Sequence, residues 1–133
     1  MEKGIVKKLD DIKAVGHRVV HGGVLYSHSV IITDRVLDEI ERIKDLAPLH
    51  NPAAIVGIKA FSKAIPNATM VACFDTAFHQ TIEEKEFLYS VPYEWYVKYD
   101  VRKYGFHGLS HQYITNRMKT ILGHDGNLII CHI

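Results

Sequence analysis

Net charge is almost missing from this chain: 16 lysines and arginines stand against 15 aspartates and glutamates in 133 residues, leaving +1 with histidine neutral. That balance gives no general pull toward nucleic acid or an anionic membrane surface. No stretch approaches the roughly 18 consecutive apolar residues that a membrane span requires. The opening MEKGIVKKLDDIK alternates charged and apolar residues and has no apolar centre of the kind a signal peptide needs. The expectation is a cytoplasmic protein with no nucleic-acid and no membrane partner. Cysteine is scarce: Cys73 and Cys131 each sit in an apolar, strand-like run, MVACF and LIICHI, which suits small buried thiols better than a disulfide of an oxidising compartment. There is no HExxH, no CxxC, no internal repeat and no low-complexity tract. A histidine-built metal centre would have only the close pairs His17/His21 and His107/His111 to draw on.

What is present is an ordinary globular composition, 47% hydrophobic and 23% charged, in a chain long enough for one domain with a real core. Residues 12–21 read as a strand, rich in β-branched side chains and stopped by Gly22-Gly23. Val36, Leu37, Ile40 and Ile43 recur at helical spacing after Thr33 and Asp34, both candidate N-caps, so 33–45 is an amphipathic helix ended by Pro48. Asn51 as cap and Pro52 at the first position open a second helix that runs until Pro66. Residues 69–74 are short and apolar, a buried strand. From 75 to 111 regular periodicity fades into an excursion of the functional sort. Ser110 or His111 then starts a helix with Tyr113, Ile114, Met118, Ile121 and Leu122 on one side, closed by Gly123, and LIICHI forms a last strand. The order β, α, α, β, excursion, α, β is that of an α/β unit around a sheet. A buried strand with nothing after it suggests that the chain belongs to something larger.

Four segments hold six of the nine histidines beside an arginine and an aspartate: GHRVVHGG, LAPLHNP, FDTAFH and YGFHGLSH. Arg18, near the end of the first strand, shares its face with Val20, because strand side chains repeat every two residues. A planar guanidinium beside an apolar wall suits a small carboxylate or a phosphoryl oxygen; the plainer reading is a surface cation. His17 and His21 face the other way and read as structural. His50 lies between Pro48 and Pro52, which fix its backbone, either for a hydrogen-bond donor or simply for loop stiffness. Asp75 directly follows a buried strand, where ligand carboxylates stand in open α/β sheets, or else caps the next turn of chain. Gly105 and Gly108 flank Phe106 and His107 and permit unusual dihedrals that could present His107 to a substrate. Cations and donors with one carboxylate match the needs of phosphoryl transfer, in which the protein does little covalent work.

In order, GHRVVHGG, LAPLHNP, VACFDTAFHQT, LYSVPYEWY, KYGFHGLSH and IICH closely resemble the acetate and propionate kinases of the acetokinase group, within the superfamily of sugar kinases, Hsp70 and actin. The resemblance covers about 12–133. It implies a partial ribonuclease H-like α/β domain over 1–126, with an irregular insertion at about 76–112. Residues 127–133 would be the first strand of a C-terminal nucleotide-binding domain that the chain lacks. It also implies Mg²⁺-dependent phosphorylation of acetate or propionate by ATP, giving acetyl phosphate and ADP, in a homodimer formed through the C-terminal half.

Carried onto matching positions, Arg18 is the substrate- and phosphoryl-binding arginine. The resemblance implies that Val20, Leu49 and Phe106 form the apolar pocket for the acyl group. His50 and His107 match the family's histidines that hydrogen-bond the transferring phosphoryl, and Asp75 matches its catalytic aspartate. A carboxylate acceptor has no proton to remove at neutral pH, which favours Asp75 as an organiser of Mg²⁺ or its water shell. By the same resemblance His132 and Ile133 would begin the family's nucleotide-binding segment. The chain departs from the family pattern at Val24 and Leu109, neither of them a matched catalytic position. Three readings stay open on sequence: an acetate kinase fragment inactive alone, a truncated relative that binds small carboxylates or phosphate, and a non-catalytic interaction module.

Overall fold

A computed structural model describes residues 6–133; residues 1–5, the start of the charged N-terminal stretch, lie outside it. Three strands form the sheet: β1 (Ala14–Val19), β2 (Val30–Ile31) and β3 (Thr69–Phe74), in the order β1-β3-β2. β1 and β3 run parallel, with Arg18 opposite Cys73 and Val19 opposite Phe74. β2 runs antiparallel to β3. At two residues β2 is too short to leave a period in the sequence.

α1 (Asp34–Arg42) starts where expected, with Thr33 at its N-cap taking the Val36 amide on its side-chain oxygen. α2 (Asn51–Ala64) carries proline in its first turn, but the N-cap is His50 and not Asn51. Asn51 is fully buried and its amide is turned inward to the β1 end instead, where two buried backbone groups need partners. Both helices cover one sheet face. Val19, Ala72 and Phe74 meet Ile40 of α1 and Ile55 and Ile58 of α2 there, with the Tyr26 ring stacked on Phe74 at 4.4 Å between centroids. The Tyr26 hydroxyl donates to the Glu39 carboxylate; burial, with that bond, pushes its pKa up to about 12.

The excursion after β3 is less irregular than its composition suggests. It holds a 3₁₀ turn (Ala77–Thr81) and two short helices, α3 (Glu84–Phe87) and α4 (Tyr93–Tyr99). Its return is pinned by the Lys103 amide on the Phe87 carbonyl (2.7 Å) and by the Arg102 guanidinium 3.5 Å above the Phe87 ring. α5 (Gly108–Leu122) ends at Gly123 with φ +74° as expected, but begins at Gly108, ahead of the expected start. It packs against the 3₁₀ turn and the end of β3, while Tyr113, Ile114, Ile121 and Leu122, expected as its apolar side, are exposed.

Residues 127–133 carry no strand: among the described residues none pairs with them, and an apolar run without a neighbouring strand has no partner for its backbone. The segment lies along α5, enclosing with Phe78, His79, His111 and Thr115 a recess of about 440 Å³. Both cysteines are free, but Cys73 is half-buried and Cys131 exposed, not buried; Cys131 loses its expected cover with the strand that does not form. No described helix is long and apolar enough to cross a membrane.

Candidate active site

The site is built where the parallel strands β1 and β3 end. Val19 and Phe74 are register partners on the core face, so Arg18 and Asp75, one residue to either side, leave the sheet on the opposite face. The Asp75 amide donates to the Val19 carbonyl at 3.0 Å, extending the ladder by one step. The Arg18 Nε–H lies 3.0 and 3.2 Å from the two Asp75 carboxylate oxygens, and Nη2 lies 2.5 Å from Oδ2. The carboxylate is 1% exposed and the guanidinium side chain 57%, so a buried anion is held by a cation that still faces solvent. Hydrogen bonding to Asp75 raises the Arg18 pKa above its ordinary value.

The turn after β1 is braced by buried side chains. The Asn51 side chain accepts from the His21 amide (3.1 Å) and donates to the His21 carbonyl (2.9 Å). Thr76 Oγ1 takes the Gly22 amide at 3.0 Å. His21 is structural, as its strand face implied: its Nδ1 accepts the Gly23 N–H at 2.9 Å, and burial lowers its pKa. The His21 ring also meets the edges of Tyr104 and Phe106, at 4.6 and 5.6 Å between centroids, and so backs the loop that carries His107. His17 faces the core side, with Nε2 3.4 Å from the Met70 sulfur.

That loop crosses the end of β3. The Gly108 amide donates to the Asp75 carbonyl at 2.9 Å, an approach so close that a Cβ at Gly108 would stand 2.1 Å from the same oxygen. His107, at the N-cap of α5, is itself left-handed, φ 55° and ψ 25°, a conformation that L residues avoid and that clusters at working sites. The flanking glycines were expected to take the unusual dihedrals; the histidine between them does.

Arg18, Val20, His50, Asp75, Phe106 and His107 line one cavity of about 400 Å³, together with Leu46 and Ala47. Leu49, expected in its apolar wall, is 86% exposed and outside the lining. The chain turns after Ala47, whose carbonyl receives the His50 and Asn51 amides; this carries Leu49 outward and leaves Leu46 and Ala47 at the wall. Arg18, Asp75 and His107 also line a second recess of about 400 Å³ with Leu109, Ser110 and His132. His132 Nδ1 lies 3.0 Å from the Ser110 hydroxyl and its ring is 4.2 Å from that of His107, centroid to centroid. Ile133 is fully exposed and lines neither recess. Leu46, Ala47 and Ser110 were missed: they lie inside the histidine-bearing segments, but only the loop geometry shows which of them face inward.

A divalent cation does not fit this donor set as it stands. Both oxygens of Asp75 are engaged by Arg18, and among the described residues no group of three or more His, Cys, Asp or Glu is placed to hold a metal. Guanidinium donors, two imidazoles and the positive end of a 15-residue helix instead favour anions.

The small α/β sheet with its flanking helices is the fold of acetate and propionate kinases, within the fold class of actin, Hsp70 and the sugar kinases. The chain superposes on the crystal structure of acetate kinase from Porphyromonas gingivalis with a TM-score of 0.87, at 48% identity, over 93% of this chain and 31% of that one. It superposes on a propionate kinase from Francisella tularensis with a TM-score of 0.85, at 47% identity, over 88% and 30% of the two chains. The sequence model of the Acetokinase family matches residues 1–133, and this chain belongs to that family. It is 58% identical to an acetate kinase of Bacillus cereus over 99% of its own length. It spans only 34% of that relative, and likewise 34% of the 57%-identical acetate kinase of Anoxybacillus flavithermus.

Proposed function

We propose that the chain carries the acyl- and phosphoryl-binding half of an acetate kinase site, serving the reaction of ATP with acetate or propionate to give ADP and the acyl phosphate. The observation that supports this most is the pair of recesses sharing Arg18, Asp75 and His107. One is walled by Val20, Leu46, Ala47 and Phe106 and suits a short acyl chain; the other is polar and opens toward Ser110 and His132, where a nucleotide's phosphates would enter. A group transferred between them passes the Arg18 guanidinium and the His107 imidazole.

The acceptor carboxylate oxygen attacks the terminal phosphorus, the bond to the ADP oxygen breaks, and no proton changes hands. Asp75 therefore has no acid or base work to do. Its Oδ2 takes one Nη2–H of Arg18 and shares the Nε–H with Oδ1, so three of the five guanidinium N–H groups stay free for the phosphoryl oxygens. Asp75 thus orients Arg18. His50 and His107 add donors, and Mg²⁺ and ATP would arrive together as co-substrate. The acetate kinases it resembles are about three times as long, the resemblance puts the nucleotide-binding half of the site outside these 133 residues, and loss of even one preorganised hydrogen-bond donor costs about 3 to 4 kcal/mol of transition-state stabilisation. The isolated chain therefore binds without turning over.

Hydroxamate formation from acetate and ATP, with equilibrium dialysis of acetyl phosphate, tests this. The expected result is binding without turnover, lost in Arg18→Ala. Turnover by the 133 residues that vanishes in Arg18→Ala would overturn the inactive-half reading, and absence of any binding would leave an interaction module as the better account.

A further inference from the structure

We infer that His79 is a positioning residue, latching the Phe106 carbonyl and so holding His107 in the left-handed conformation that faces both recesses. His79 lies in the 3₁₀ turn Ala77–Thr81 directly behind Asp75 and Thr76. Its Nε2 is 3.0 Å from the Phe106 carbonyl oxygen. A carbonyl only accepts, so Nε2 carries the proton. The ring is laid flat enough on Gly105 that a Cβ there would come within 2.2 Å of His79 Cγ; no other residue type fits at that position while the latch is closed. Phe78 and His111 hold the ring by its edges, at 5.3 and 5.6 Å between centroids.

His107 has φ 55°, and both peptide units around it are tied to the segment after β3. The carbonyl before it is bound by the His79 side chain, and the amide after it by the Asp75 carbonyl at 2.9 Å. A strained residue persists only where its surroundings over-determine it, and here one short segment supplies both ties. The residue that fixes the Arg18 guanidinium and the residue that fixes the His107 backbone are thus four positions apart. The functional consequence rests on the proposed phosphoryl-binding role of His107; the structural one does not.

The test uses the 133-residue chain in solution. In the native protein, imidazole ¹⁵N shifts of His79 report which nitrogen is protonated; the expected tautomer carries the proton on Nε2, and an Nδ1-protonated ring would overturn the latch without any variant. In His79→Leu, the intraresidue HN–Hα contact and coupling that mark a left-handed His107 are expected to disappear while the β1 and β3 amides keep their shifts, and acetyl phosphate affinity to fall roughly tenfold through misplacement of His107. His79→Gln, which keeps an N–H donor of similar reach, is expected to restore both. A left-handed His107 that survives His79→Leu, or a Gln variant as impaired as the Leu variant, would overturn the inference. If native chain binds no acetyl phosphate, the proposed function fails, while the tautomer and the His107 backbone signals still decide the latch.

Discussion

Arg18 and Asp75, 57 residues apart in sequence, share three N–H···O contacts at the adjoining ends of two parallel strands. The carboxylate is buried and the guanidinium half in solvent, so the pair stabilises the strand ends and still presents free donors to a cavity. Arg18→Ala leaves the anion without its cation. After discounting for solvent screening of an exposed partner, unfolding free energy is expected to fall by about 1 to 2 kcal/mol. Urea titration with an unchanged m-value checks it.

Asn51→Ala should cost more. One side chain satisfies both the amide and the carbonyl of buried His21, and orphaning two buried backbone groups costs about 2 to 4 kcal/mol. Thr76→Val orphans only the Gly22 amide, and about half that loss is expected. Denaturant midpoints of the two variants, compared with the native chain, give the ratio.

Two glycines should respond with opposite signs. A Cβ at Gly108 would meet the Asp75 carbonyl at 2.1 Å, whereas one at Gly57, inside α2, meets nothing within 4 Å. Gly108→Ala is expected to lose about 3 kcal/mol through overpacking. Gly57→Ala should gain about 0.5 to 1 kcal/mol by restricting the unfolded chain and favouring helix. Thermal melts read both.

Stability should fall toward acid before the carboxylates titrate. Burial lowers the pKa of His17 and His21 below the ordinary 6.5, so as pH drops through that value the unfolded chain takes up protons that the folded chain refuses. The loss sets in near 6.5 and ends once the folded-state histidines protonate. At the alkaline end Tyr26, raised from 10.0 to about 12, keeps its proton in the folded state only, so stability falls as pH rises from 10 toward 12. Unfolding free energies across pH test both signs; His21→Gln and Tyr26→Phe should each shrink one arm without abolishing it, because His17 and Tyr104 are shifted in the same directions.

The sheet strands β1 and β3, the helices α1 and α2 and the closing Gly123 were legible because each leaves a local mark: a β-branched run, a 3.6-residue apolar period, a cap. The gathering of Arg18, His50, Asp75, Phe106 and His107 was legible only through the resemblance of whole segments, since tens of residues separate them. What could not be read is set by packing. Leu49 and Leu46 are equally apolar, and only the turn at Ala47 decides which faces the cavity. Asn51 reads as a cap, yet the buried backbone of His21 claims its amide. LIICHI reads as a strand, but strand formation needs a partner, and none of the described strands lies beside it.

The central claim is that one anion-binding site is shared by Arg18, Asp75 and His107. Amide chemical shifts of the ¹⁵N-labelled chain during titration with acetyl phosphate test it most directly. Saturable shifts are expected, concentrated at Arg18, Val20, His50, Asp75 and residues 106–110, and abolished in Arg18→Ala. Saturable binding that is unchanged in Arg18→Ala, or that maps away from these residues, would contradict it.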